Sequence, residues 1–350
     1  MDIHEQYMYR CLELAKLGAG SVAPNPMVGA VLVYDDKIIG EGYHEIYGGA
    51  HAEVNCIGSV RSENAHLITR STLYVSLEPC AHYGKTPPCA DLIINKSIPR
   101  VVVGCRDPFK EVDGKGIEKL QNAGIDVTTN VLKIECEQLN KRFFTFHKEQ
   151  RPYVILKWAQ SKNGKVANAN FSRVAISNEI TNRLVHKWRS EEAAIMVGTN
   201  TALHDDPALT NRLWKGRSPA RLVLDMNLRL PLSLKLFNEQ QPTIIFNSIK
   251  SAEGKNLRYI KLSRNASVTA QTLRNCHGLS LQSILVEGGS RLLQSFINEN
   301  IWDETRVIES QALIISNGID APTLSNGTMV GSESIHSDRI YYYQQAPGKL

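Results

Sequence analysis

The chain has 350 residues, 42% hydrophobic and 21% charged, with no low-complexity tract. That is long for one hydrophobic core and sets an expectation of about two domains. No stretch approaches the roughly 18 apolar residues a membrane span needs, and the net charge of +5 is too modest to signal a nucleic-acid track by itself.

Taken in chain order, residues 2–18 place Ile3, Tyr7, Cys11, Leu14 and Leu17 at helical spacing. Residues 29–44 read as two strands around a tight Asp35-Asp36 turn. A helix follows over 51–60, a strand over 72–80, a helix over 89–97 and a strand over 100–105. A further helix over 116–125 is stopped by Gly124, and 126–132 is a short strand. Strands alternating with helices imply a three-layer α/β sandwich. The polar stretch 135–152 reads as one helix ending at Pro152, and the domain boundary is placed there, dividing the chain into 1–148 and 149–350. Beyond it, 153–161, 193–201, 220–226, 242–247 and 283–289 are short apolar strand candidates, with helical patterns at 178–191 and 290–300. A second, mostly parallel α/β domain is expected.

Charge differs between the halves. Residues 1–150 carry 16 Lys/Arg against 19 Asp/Glu, and residues 151–350 carry 24 against 16. The positive charges of the second half are scattered singly, which favours phosphorylated small molecules over nucleic acid. The opening MDIHEQYMYR has no apolar run behind a basic head, so no secretory leader and a cytoplasmic location are expected. Neither nucleic acid nor membrane is expected as a partner. Of seven cysteines, Cys11, Cys56, Cys105, Cys136 and Cys276 sit singly among apolar neighbours and read as buried hydrophobes.

Cys80 and Cys89 keep different company. His51-Ala52-Glu53 is followed by Pro79-Cys80, and eight residues separate Cys80 from Cys89. A catalytic zinc takes three protein ligands and one open position for water, and one His with two Cys meets that count. Glu53, two residues past the His near a helix start, can lie beside the water and carry its proton. Cys89 follows Pro87-Pro88 and opens a helical run, where the dipole favours a thiolate. This is the zinc-deaminase pattern H-x-E…P-C-x-x-C with a longer interval between the cysteines. A structural zinc site would take a fourth protein ligand, for which His82 is close enough in sequence; that reading leaves Glu53 and Pro79 without a role.

The interval 81–88, with PNPMVGAVLV at 24–33 and GYHEIYGGAHAE at 42–53, resembles the bifunctional pyrimidine deaminase/reductases of riboflavin biosynthesis. The likeness covers essentially the whole chain. It implies a cytidine-deaminase-like first domain that deaminates a diaminopyrimidinone carrying a phosphoribosylamino group. By resemblance, Asn25, His44, His82 and Lys85 line that pocket, and Asp107 approaches the ribose phosphate. Asn25 lies between two prolines, a rigid loop able to present its amide to a base edge. Phe109-Lys110 follow Asp107-Pro108 where the family usually has Asn-Pro.

The segments 152–165, 197–212 and 285–296 carry the likeness in the second half. They imply a dihydrofolate-reductase-like domain that uses NADPH to reduce the sugar carbonyl of the deaminated product. Lys157, at the edge of the first strand, offers a cation, and Arg189 and Arg212 suit a substrate phosphate. Asp205 falls in a loop after a strand. Glu287-Gly288-Gly289 ends a strand and opens a helix, where glycines admit a diphosphate to a helix N-terminus, and Glu287 orients the substrate. The resemblance adds Leu209 to the substrate set, and Gln160, Thr201, Asp205, Gly288 and Gly289 to the cofactor set. Ser172–Ile176 replaces the family's Ser-x-Trp-Ile, and Asn163-Gly164 its Asp-Gly; a deaminase with a weak or inactive reductase half is the second reading these differences leave open. The likeness further implies a homo-oligomer, dimer or tetramer.

Overall fold

The computed structural model describes residues 2–346 except 84–86, 171 and 173. The chain divides into two compact units, Met1–Gln150 and Arg151–Leu350.

The first unit runs α1 (Ile3–Lys16), β1 (Gly29–Tyr34), β2 (Lys37–Tyr43), α2 (Ala52–Gly58), β3 (Thr72–Leu77), α3 (Cys89–Asn95), β4 (Arg100–Cys105), α4 (Lys115–Asn122), β5 (Asp126–Thr128), α5 (Lys133–Leu139) and α6 (Lys141–Lys148). Its sheet has the order β2-β1-β3-β4-β5. β1 is antiparallel to β2 and β3, whereas β3, β4 and β5 are parallel. The β1–β2 connection is tight because Asp35 and Asp36 both take left-handed backbone, φ 48° and 55°, whose twist matches that of the flanking strands. α1 begins where the Glu5 carboxylate accepts from the Asp2 N–H at 3.2 Å, placing negative charge on the positive helix end.

The sheet is buried on both faces. Ala30, Leu32, Leu73 and Val75 point to one layer with Ala52, Ile57, Ala90 and Leu120. The alternate residues Val31, Val33 and Tyr74 pack against Met8, Cys11, Leu12, Cys136 and Phe144. Helices α2, α3 and α4 therefore cover one face, and α1, α5 and α6 the other. Where one helix was expected over 135–152 there are two, breaking at Asn140.

The second unit runs β6 (Tyr153–Gln160), β7 (Lys165–Asn168), α7 (Glu179–Glu191), β8 (Ala194–Gly198), α8 (Thr199–Asp205), β9 (Ala220–Leu224), β10 (Thr243–Asn247), β11 (Ala252–Glu253), β12 (Leu257–Lys261), α9 (Val268–Gly278), β13 (Ser283–Gly288), α10 (Ser290–Asn298), β14 (Glu304–Ser310), β15 (Gly318–Asp320), β16 (Gly327–Ile335) and β17 (Asp338–Gln345). Its main sheet has the order β11-β12-β10-β9-β8-β13-β6-β14-β17-β16. The seven strands from β12 to β14 are mutually parallel, and β11, β17 and β16 add antiparallel edges. β6 alternates Val154, Leu156 and Trp158 into one apolar layer and Tyr153 and Ile155 into the other, so its unbroken apolar run reflects burial on both sides.

Two placements differ from the sequence reading. Lys157 lies on β6, which is inside the sheet between β13 and β14 and not at its edge. Asp205 ends the helix α8 instead of lying in a loop: the strand stops at Gly198, and the chain turns at once into a helix that closes on the left-handed Asp206, φ 38°.

Candidate active sites

In the first unit three ligand atoms converge. His51 caps the N-terminus of α2, Cys89 is the first residue of α3, and Cys80 follows β3. His51 Nδ1 lies 3.5 Å from Cys80 Sγ and 3.3 Å from Cys89 Sγ, and all three donors fall within 4.8 Å of one another. The Cys89 N–H donates to Cys80 Sγ at 3.3 Å, and Ala90 N–H to the Cys80 carbonyl at 3.1 Å. The longer interval thus returns its second cysteine onto the first. The hydrogen bond from Cys89, together with His51, holds the Cys80 thiol well below its ordinary range, while Cys89 is correspondingly pushed up. An imidazole and two such sulfurs fit a zinc ion. Among the described residues His82 is not part of this group, which leaves a fourth position open.

Glu53, on the first turn of α2, is 3% exposed. Burial, and then the neighbouring Cys80, push its carboxyl up to about 7, and it hydrogen-bonds Cys89. It is a carboxyl poised to gain and lose a proton.

Beside this centre, Asn25 Nδ2 donates to His44 Nε2 at 3.1 Å, and His44 Nδ1 faces the Ala50 carbonyl at 2.9 Å. These partners define one tautomer, Nδ1–H with Nε2 accepting. Burial holds His44 below its ordinary range, and its ring meets that of His51 edge-on at 5.5 Å. His82 contacts Phe109 edge-on at 6.0 Å, and its Nδ1 is buried with no hydrogen-bond partner among the described residues. Asp107 is 7% exposed and accepts from the Phe109 N–H at 2.7 Å. Burial, opposed by that bond and reinforced by Glu78, lifts it to about 7. Lys85 lies outside the described residues.

Sequence reasoning did not find Glu78. Its carboxylate accepts four backbone N–H groups, from Asp107 (3.2 Å), Gly114 (3.0 Å), Gly116 (2.9 Å) and Ile117 (3.3 Å), fastening the loop that carries Asp107 to the strand end that carries Cys80. The adjacent Pro79-Cys80 was the available signal.

In the second unit, Arg189 of α7 grips Glu287 of β13 with Nε and Nη2 at 2.7 and 2.6 Å, and Lys157 Nζ lies 3.9 Å from the same carboxylate. Burial alone would raise Glu287, but Arg189 and Lys157 outweigh it and hold it at about 2. Burial pushes Lys157 down, against the pull of Glu287. Arg189 thus spends its fork on a protein carboxylate and not on a free phosphate, and Arg212 remains as the exposed arginine. The Arg212 N–H donates to His186 Nδ1 at 3.1 Å. Burial and the two arginines keep His186 down at about 4, so it stays neutral and accepting. His186 was also missed; its i, i+3 spacing to Arg189 on one helix was the signal.

The Leu209 side chain is 2% exposed and packs with Ile195, Val197 and Ala202 in the core, so any contact it makes with a substrate is through its backbone. Gln160 is engaged at both ends, accepting from Trp158 Nε1 at 2.9 Å and donating to Glu309 at 3.1 Å. Gly288, with φ 140°, and Gly289 stand before α10. A Cβ on Gly289 would come within 3.0 Å of Thr201 Oγ1. Thr201 thus packs closely on the Gly288-Gly289 turn that opens α10. Asn163 accepts from Ile315 N–H at 3.1 Å and donates to its carbonyl at 2.9 Å, a pairing an aspartate at this position could not complete. Val174 lines an open cleft with Asn168, Asn170, Ile314 and Asn317.

A His/Cys/Cys centre beside a buried Glu on a three-layer sandwich, followed by a largely parallel sheet in a second unit, defines a zinc-dependent deaminase joined to a reductase. The family model for the cytidine and deoxycytidylate deaminase zinc-binding region matches residues 1–105, and that for the RibD C-terminal domain matches 152–314. The chain is 41% identical to riboflavin biosynthesis protein RibD of Aquifex aeolicus, covering 86% of this chain and 85% of the relative, and 35% identical to RibD of Escherichia coli, covering 90% and 85%. A Thermotoga maritima deaminase/reductase structure superposes with a TM-score of 0.88 at 37% identity, covering 98% of this chain and 99% of that one. The chain belongs to the RibD family, the bifunctional deaminase/reductases of riboflavin biosynthesis, whose cofactors are zinc and NADPH. No helix among the described residues is long and apolar enough to cross a membrane.

Proposed function

We propose that this chain hydrolyses the 2-amino group from 2,5-diamino-6-(5-phosphoribosylamino)pyrimidin-4(3H)-one and then reduces the ribose of the product to give 5-amino-6-(5-phosphoribitylamino)uracil. The Thermotoga maritima relative is described as a diaminohydroxyphosphoribosylaminopyrimidine deaminase and 5-amino-6-(5-phosphoribosylamino)uracil reductase. The observation that carries the reading is the convergence of His51, Cys80 and Cys89 beside a buried Glu53. When bound there, zinc supplies a Lewis acid that makes water a competent nucleophile at neutral pH. Glu53 takes the proton from the attacking water and returns it to the departing amine. Asn25 and His82 hold the ring edge, His44 fixes the Asn25 amide, and Asp107 serves the sugar end; Lys85, by resemblance part of the same substrate set, lies outside the described residues.

In the second unit Arg212 receives the substrate phosphate. Glu287, held by Arg189 and Lys157, orients the substrate. Thr201, Gly288 and Gly289 hold the NADPH diphosphate, with Asp205 and Gln160 at its margins, and the bound cofactor supplies the hydride. Domain limits of 1–148 and 149–350 and a homo-oligomeric state belong to the same reading.

The direct test is Glu53→Gln. Deamination is expected to fall by roughly 10²–10⁴-fold, the range for losing a positioned proton carrier, while bound zinc, measured by metal analysis, is unchanged. Deamination at the parental rate would overturn the assignment.

A further inference from the structure

We propose that Asn140, in the segment after the deaminase sheet, is a positioning residue for deaminase substrate binding: it holds the loop that presents Asn25.

Asn140 sits at the break between α5 and α6, where asparagine ordinarily spends its side chain capping the helix that follows. Here it makes no such cap. Its amide instead forms a two-point clamp on a residue 113 positions earlier: Oδ1 accepts from the Met27 N–H at 2.8 Å, and Nδ2 donates to the Met27 carbonyl at 2.8 Å. The side chain is 4% exposed, so both bonds form away from competing water and losing either leaves a costly unpaired group. No other natural side chain of that length both donates and accepts in one plane.

The clamped residue is two positions from Asn25. From there a chain of contacts reaches the metal centre: Asn25 Nδ2 to His44 Nε2 at 3.1 Å, His44 Nδ1 to the Ala50 carbonyl at 2.9 Å, and Ala50 adjoining His51. Asn140 therefore fixes the height of the Pro24-Asn25-Pro26 loop relative to the metal ligands. The same helix pair reaches the opposite wall, where His147 of α6 packs its ring on Phe109 at 5.1 Å and Phe109 meets His82. Asn140, Phe109 and His147 lie beyond residue 105, where the general deaminase family model stops matching. A polar helical segment at the end of the first unit thus serves as the outer brace of the pyrimidine pocket.

The inference rests on the reading that Asn25 faces the pyrimidine. Steady-state deamination by the full-length, zinc-loaded chain separates the two. Asn140→Ala is expected to raise KM about ten- to a hundredfold, as a loop displaced by a fraction of an ångström does, with kcat changed less than about threefold. Zinc content and NADPH-dependent reduction of supplied deaminated product should hold at parental levels. Asn25→Ala should raise KM similarly, and the double variant should be no worse than Asn25→Ala alone, because the two act through one contact. If Asn25→Ala leaves KM unchanged, the reading of Asn25 fails and the proposal with it. If Asn25→Ala raises KM but Asn140→Ala does not, or if their effects add in full, the proposal alone is overturned. Should Asn140→Ala not retain zinc, Asn140→Asp decides, since it keeps the acceptor for Met27 N–H. An intermediate KM with zinc retained supports the positioning role, and loss of zinc there too would show a merely structural one.

Discussion

At the Arg189–Glu287–Lys157 triad, three charged side chains that separately suit a phosphate or a substrate turn out to satisfy one another. Removing the carboxylate leaves two buried cations facing each other, so Glu287→Gln is expected to cost about 3–5 kcal/mol, the usual penalty for breaking one side of a buried ion pair. The pH dependence has a definite sign. The folded-state pKa is about 2, against an ordinary 4.5, so the folded protein binds fewer protons than the unfolded chain in that window. The stabilisation is complete above 4.5 and is lost as pH falls towards 2. Denaturant unfolding of both forms across this range should show the parental advantage over Glu287→Gln shrinking as the solution is acidified. A constant gap would mean that the carboxylate is not held ionised by its neighbours.

This triad also marks what residue-level reading can see. His51, Glu53, Cys80 and Cys89 were legible because zinc chemistry constrains residue type and spacing within a short stretch. Arg189 and Glu287 were legible as charges but not as partners, since 98 positions separate them. The burial of the Leu209 side chain was not legible for a related reason: whether a leucine in a loop faces solvent or the core depends on packing, which local sequence does not contain.

Among the elements, the most exacting junction is the one between the Cys80 segment and the start of α4. Glu78 fastens the loop, and a Cβ on Gly116 would stand 1.9 Å from the Pro79 carbonyl. Glycine is required there because backbone approaches backbone, and neither side can yield without moving Cys80. Gly116→Ala is therefore expected to destabilise the first unit by about 1–3 kcal/mol, as overpacking does, and to lower zinc retention and deamination together. Parallel measurement of zinc content and of NADPH-dependent reduction checks this, since reduction should be spared. Retained zinc with normal deamination would show that the loop can shift without disturbing the ligand.

The elements most legible beforehand were those with one strong pattern: the Asp35-Asp36 hairpin, and the apolar strands β6, β8, β9, β10 and β13. The strands β14, β16 and β17 went unread. β16 is exposed along most of its length, so it carries no apolar alternation, and β17 mixes tyrosines facing both layers. The break at Asn140 went unread because no Gly or Pro marks it, and the partner of its side chain, Met27, lies 113 positions earlier.

Over the molecule as a whole, the acidic first half and basic second half suit a shared phosphorylated metabolite handled by two centres of different chemistry. The zinc centre needs converging soft ligands and one buried acid. The reductase centre needs cations for phosphate and a glycine cradle for the dinucleotide. The residues read for the two centres fall in different compact units, so the two activities are expected to be separable by substitution.

Mass measurement of the product formed from the diaminopyrimidinone phosphate, with and without NADPH, tests that claim most directly. Without NADPH the substrate should gain about one mass unit, an amine exchanged for oxygen. With NADPH it should gain about two more, the hydride and proton of reduction. Absence of the first gain would contradict the deaminase assignment, and a first gain with no second under saturating NADPH would contradict the two-step account.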